Sequence, residues 1–120
     1  MLKREIGDQE ESKALEYFEA KGWKLLQKNY LTRMGEVDLI LKDPKGVIVF
    51  VEVRYRKYSD FGTAAATVNF KKQQRIVKSA LQYIKVHRLY HSDFRFDVAA
   101  ISPEGLEHIP NAFSASGYTL

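Results

Sequence analysis

The 120-residue sequence predicts an α/β fold, a mixed central sheet flanked by helices in the order α-β-β-β-α-β-β. Three observations carry this expectation. Two stretches, about Asp8 to Lys21 and about Phe70 to Arg88, place apolar residues at helical spacing. Short β-branched and aromatic runs separate and follow them, bounded by Gly, Pro, Asn and Asp. The second helical stretch lies between two strand-like runs, which makes it a crossover between parallel neighbours.

The first helix carries Glu11, Ala14, Leu15, Phe18 and Gly22 at i, i+3, i+4, i+7 and i+11. Asp8 reads as its N-cap, with Glu11 three residues on as in a capping box, and Gly22 as its stop. Glu11 either completes that cap or points from the core stripe into a site shared with the strands. Trp23–Tyr30 is the first strand, and Leu31–Gly35 turns into a hairpin.

The hairpin pairs Gly35–Leu41 with Val47–Arg54 across Asp43-Pro44-Lys45-Gly46. Pro at the second turn position and Gly at the end suit a three-residue loop with a Gly bulge. With Asp43 facing Val47, Asp38 falls opposite Glu52, and Glu36 opposite Arg54. One face is then wholly apolar: Val37, Leu39 and Leu41 against Val47, Val49, Val51 and Val53. The other has Ile40, Ile48 and Phe50 near the turn and the charged residues at its open end. A strand apolar on so much of both faces is central and covered twice.

Tyr55-Arg56-Lys57-Tyr58 interleaves basic and aromatic residues, and a small-residue loop runs from Ser59 to Val68. Asn69 is the N-cap of the second helix, with Ile76, Val77, Ala80, Leu81 and Ile84 as its core stripe. Lys71, Arg75, Lys78 and Lys85 lie on the opposite side, a solvated face or a track for a phosphate backbone. Asp93–Ile101 is a strand parallel to Val47–Arg54. Gly105–Ile109 is a short last strand, and residues 110–120 are a loosely specified tail of the same single domain.

Composition narrows the chemistry. Without Cys, disulfides, thiol catalysis and Cys-ligated zinc are excluded. His87, His91 and His108 are too scattered for a zinc site. No apolar run reaches the roughly 20 residues of a bilayer span, and the charged start lacks a signal-peptide core, so a cytoplasmic protein is expected. A formal charge of +4 and a pI near 9.3 favour an anionic partner.

The opposed acids of the hairpin carry most of the functional information. Carboxylates directly across neighbouring strands lie roughly 5 Å apart at Cβ, where like charges repel. A divalent cation turns that repulsion into coordination. Mg²⁺ or Mn²⁺ suits Asp38 and Glu52, with the Val53 backbone carbonyl as a neutral oxygen and Glu11 holding a ligand water. Arg54, two residues on along the same strand face, would orient that water or bind a phosphate. The plainer alternative is a Glu36–Arg54 ion pair with Asp38 and Glu52 merely bordering solvent.

The spacing from Asp38 to Glu52-Val53-Arg54 resembles the D…(D/E)-x-K signature of the restriction-endonuclease-like fold. A longer pattern resembles the YraN-like family: Glu11 with Tyr17, Gly22-Trp23, Asn29-Tyr30, Gly35–Ile40, Phe50–Val53 with Arg56, Lys72-Gln73 with Arg75, Arg95–Val98 and Ile109–Phe113. That family comprises small bacterial proteins regarded as endonucleases and similar to archaeal Holliday-junction resolvases. The resemblance covers nearly the whole chain.

It implies metal-dependent hydrolysis of DNA phosphodiester bonds, with branched or structured DNA as substrate and a homodimer as the working form. By position, it implies Asp38 and Glu52 as the metal-binding acids and Glu11 as the first-helix acid. It also implies Lys72, Gln73 and Arg75 as a helix facing nucleic acid, to which the basic Arg56 and Lys57 add contacts. Two positions depart from the pattern. Glu10 replaces a usual Gly, and Arg54 replaces the usual Lys. Arginine binds phosphate bidentately but cannot act as a base. The alternative to a nuclease is therefore a catalytically impaired nucleic-acid-binding module. A scaffold binding only protein would show no salt-sensitive DNA affinity.

Overall fold

The computed structural model describes residues 3–56 and 68–115. The elements are α1 (Lys3–Ala20), β1 (Lys24–Leu31), β2 (Glu36–Lys42), β3 (Ile48–Tyr55), α2 (Phe70–Val86), β4 (Phe94–Ser102) and β5 (Gly105–Phe113). This is the predicted order. The strands form one mixed sheet, β1-β2-β3-β4-β5, in which β3 and β4 run parallel and the other neighbours antiparallel. Lys57 and the loop expected over Ser59–Val68 lie outside the described residues, apart from Val68 itself.

Helix α1 begins at Lys3, not near Asp8. Lys, Arg, Glu and Ile at the preceding positions favour helix and outweigh Gly7, which costs about 1 kcal/mol relative to Ala. Asp8 is thus interior, and Glu11 is not the second half of a capping box. The other end follows the sequence closely. Trp23 donates to the Phe18 carbonyl (3.1 Å) and Gly22 to that of Glu19 (3.0 Å), with Gly22 at φ +86°. This is a Schellman cap, and its usual apolar contact is the Phe18–Trp23 ring pair, 4.6 Å between centroids.

Helix α2 starts as expected, Asn69 Oδ1 accepting the Lys72 N–H at 2.8 Å. The two helices cover opposite faces of the sheet. Ile76, Val77, Ala80 and Ile84 of α2 pack with Ile40, Ile48, Phe50, Phe96 and Val98. Ala14 and Phe18 of α1 pack with Leu39, Leu41, Val49 and Val51. The central β3 is therefore buried on both sides through Glu52.

Val37 departs from the expected face. It joins Ile40 beneath α2, whereas Leu39 and Leu41 lie beneath α1. The pleat breaks at Asp38. On β1, Asn29 stands across from it at φ 50°, between the pairs Lys28↔Leu39 and Tyr30↔Val37. Asn is one of the few residues that enters the left-handed region readily. The last strand also runs further than expected, from Gly105 to Phe113 instead of stopping at Ile109. Pro110 is tolerated because β5 is an edge.

A buried polar anchor ties β4 to both ends of this architecture. Asp97 is fully buried and takes Arg95 Nε (3.0 Å), His108 Nε2 (2.7 Å) and the Asn111 N–H (2.9 Å). Arg95 also reaches Asp43 Oδ2 at 3.0 Å, in the hairpin turn. Burial by itself raises the Asp97 carboxyl, but the hydrogen bonds from His108 and Arg95 outweigh it and hold it below the usual range.

Candidate active site

The β2–β3 turn has the predicted chemistry. Asp43 Oδ1 accepts the N–H groups of Lys45 and Val47, both at 2.9 Å, and Gly46 sits at φ +89°. The register follows from Lys42↔Ile48 to Leu39↔Val51, and the next residues in that register are Asp38 and Glu52. Here the ladder gives way. Asp38 Oδ2 takes the Val53 N–H at 2.8 Å, so a side chain replaces the backbone acceptor. The sheet opens at that point, with an acid on each lip.

The two acids are connected differently. Glu52 keeps the alternation of β3 and faces α2, where Lys72 Nζ lies 3.3 Å from its Oε1. Arg54 Nη1 lies 3.9 Å from the same oxygen. Asp38 sits at the pleat break and is shared. Carboxylate oxygens of Glu11, Glu36 and Asp38 all lie within 4.8 Å of one another. Glu36 thus joins the acidic group, where the register alone placed it opposite Arg54. Glu11 reaches the group from α1. A hollow of about 410 Å³, lined by Gly7, Asp8, Glu11, Asn29, Leu31 and Glu36, opens beside it.

Every shifted acid in this opening moves in the same direction. Burial, reinforced by the charge of Asp38, pushes Glu52 up to about 8 against the pull of Lys72. Burial raises Asp38 to about 6, although the Val53 N–H and Lys72 favour its charged form. Burial raises Glu11 to about 7, with Asp38 and Glu36 adding to it and a hydrogen bond from Asn29 opposing. Glu11 Oε1 is buried with no hydrogen-bond partner. Hard oxygen donors, mutual repulsion and an orphaned carboxylate oxygen together fit a divalent cation.

The remaining candidates divide. Arg75 is exposed on α2, its Cβ against Gly35. The Gln73 side chain donates to the Val68 carbonyl at 2.8 Å, which holds the start of α2. Arg56 faces β5, 3.2 Å from Glu107, and lines a different hollow with Ala100, Ser102 and Leu106. Of Val53, the N–H is engaged by Asp38. Three positions take roles here that the sequence did not assign them, Lys72 being expected on nucleic acid and Glu36 opposite Arg54. Asn29 bonds Glu11, Glu36 completes the acidic group, and Lys72 faces Glu52. An Asn inside an otherwise alternating strand was the available signal for the first.

Fold and opening together define an α/β protein in which a five-stranded mixed sheet lies between two helices and opens at an acidic group. The chain belongs to the uncharacterised protein family UPF0102, whose profile matches residues 10–101, in agreement with the YraN-like resemblance. Among its relatives, a UPF0102 protein of Sulfurihydrogenibium sp. is 44% identical, the match covering 95% of this chain and 98% of that one. One from Myxococcus xanthus is 38% identical over 94% and 92%. Among solved structures, the chain is similar to a repair endonuclease from Pyrococcus abyssi (TM-score 0.44, 22% identity, 79% of this chain and 39% of that one). It is also similar to an EndoMS–dsDNA2 complex (TM-score 0.40, 21% identity, 77% and 36%). The chain spans little more than a third of those two proteins. Among the described residues, no helix is long and apolar enough to cross a membrane.

Proposed function

We propose that this protein is a divalent-cation-dependent nuclease that hydrolyses DNA phosphodiester bonds, with branched or structured DNA as its preferred substrate. The observation that carries the reading is the acidic group at the sheet opening, the carboxylates of Glu11, Glu36 and Asp38 within 4.8 Å of one another beside Glu52, which Lys72 and Arg54 face. Asp38 and Glu52 would hold Mg²⁺ or Mn²⁺, with Glu11 and Glu36 completing the oxygen set. When bound, the cation supplies charge stabilisation at the scissile phosphate and acidifies a water.

The chain's own residues do the rest. Arg54 offers a planar fork to non-bridging phosphate oxygens. Lys72 brings a point charge to Glu52 from a different element, so an amine stands in this opening although the strand position holds Arg. Glu11 accepts a hydrogen bond from the attacking water and orients it. The loss of a lysine at position 54 therefore does not leave the opening without one.

The test is cleavage of linear and branched DNA by purified protein, with and without Mn²⁺. Cleavage that needs Mn²⁺ and disappears in Asp38→Ala supports the reading. Cleavage that persists in Asp38→Ala points to a contaminant and removes it. DNA binding without cleavage, in both the natural protein and Arg54→Lys, would leave the impaired binding module in its place.

A further inference from the structure

The β1–β2 turn divides two hollows of opposite charge. On one side Leu31, 76% exposed, lines the acidic hollow with Glu11 and Glu36. On the other, Met34, 37% exposed, lines a hollow of about 270 Å³ with Lys71, Gln74, Arg75 and Lys78. Three cations and no acid border this second hollow, and an apolar side chain stands among them.

The turn is held firmly. Thr32 Oγ1 accepts the N–H groups of Met34 (3.0 Å) and Gly35 (3.1 Å), and the Thr32 N–H donates to the Gly35 carbonyl at 2.8 Å. Thr32 Oγ1 also lies 2.8 Å from Oγ of the fully buried Ser79 on α2. At Gly35 the backbone approaches α2 so closely that a Cβ would come 3.0 Å from the Arg75 Cβ. The tip, Arg33-Met34, is thus projected from a backbone fixed on the helix that supplies the cations.

We propose that this turn is a nucleic-acid wedge, with Met34 against an unstacked base and Lys71, Arg75 and Lys78 on the phosphates around it. A stripe of lysines alone is usually a solvated face, since charge carries no demand for a partner. An apolar side chain carried into the same hollow by a backbone fixed on the helix changes that. Its burial needs a flat, apolar ligand face, and its surroundings need an anion. A nucleotide supplies both. Inserting a side chain between bases costs least where pairing is already lost. The substrate class is therefore duplex DNA next to an unpaired nucleotide, as at a fork or flap. A strand lying in the basic hollow then passes the turn into the acidic opening. This placement rests on the nuclease reading, whereas the wedge itself does not need cleavage.

The experiment measures binding without the cation. A forked DNA carrying 2-aminopurine at the unpaired nucleotide and a fully paired duplex of equal length are titrated in EDTA over a salt series. The natural protein should prefer the fork and brighten the probe. Met34→Ala should weaken fork binding about tenfold and leave duplex binding unchanged, while Met34→Leu retains the preference. Lys71→Gln and Lys78→Gln should weaken both DNAs alike, each lowering the salt slope by about 0.9. Fork affinity unaltered in Met34→Ala, equal losses on both DNAs in that variant, or absence of DNA binding would overturn the wedge. A Met34-dependent preference without Mn²⁺-dependent cleavage would remove the nuclease reading alone. Cleavage with no fork preference would remove the wedge alone.

Discussion

Asp38 and Asp97 make the most instructive comparison in this molecule. Asp38 lies just beyond the last β2–β3 pair and Asp97 at a register shift between β4 and β5, and both accept a main-chain N–H, from Val53 at 2.8 Å and from Asn111 at 2.9 Å. Their surroundings then diverge. Asp97 is met by Arg95 and His108, and its pKa is held low. Asp38 is met by Glu11, Glu36 and Glu52, and the group is raised. An acid inside an apolar strand is thus an anchor or a site according to what other elements bring to it. One is complete within the chain; the other has room for a cation.

The comparison can be broken at either end. The largest effect should come from Asp97→Ala, which leaves Arg95 and His108 without their buried acceptor. A loss of about 3–5 kcal/mol in chemical denaturation is expected. Because Asp97 titrates low, its contribution is present at neutral pH and is lost as the pH falls below its ordinary value near 3.8. Asp38→Asn should act in the opposite direction. Without added cation it relieves the repulsion and gains about 1–2 kcal/mol at pH 8, while cleavage disappears.

The pH profile sharpens the same contrast. Glu11, Asp38 and Glu52 have folded-state values above their ordinary ones, about 7, 6 and 8. Such groups stabilise fully below the ordinary carboxylate range, and that contribution is lost as the pH rises through the folded values. Metal-free protein should therefore lose stability between about pH 5 and pH 8, and the slope should flatten in Asp38→Asn. Denaturation midpoints across that range check it. The smallest effect concerns geometry rather than charge. Arg95→Lys keeps the cation but loses the fork that spans Asp97 and Asp43, for about 1 kcal/mol.

Much of the fold was legible in the sequence because its signals were local. Asp43-Pro44-Lys45-Gly46 specified the turn, and with it the register that sets Asp38 against Glu52. Asn69 and Gly22 marked helix ends that the structure reproduces. What escaped was non-local. The pleat break that moves Val37 to the other face depends on Asn29, one strand away. The approach of Lys72 to Glu52 depends on how α2 docks. The start of α1 was misplaced because Asp8 has the chemistry of a cap without being one. Its neighbours prefer helix, and no local pattern showed that preference prevailing.

The central claim is that the opening at Asp38 and Glu52 holds a divalent cation. Titration of Mn²⁺ followed by electron paramagnetic resonance, on the natural protein and on Asp38→Asn at pH 7.5, tests it most directly. The account predicts that the natural protein depletes the free-ion signal and that Asp38→Asn leaves it intact. Equal depletion by both, or by neither, would contradict it.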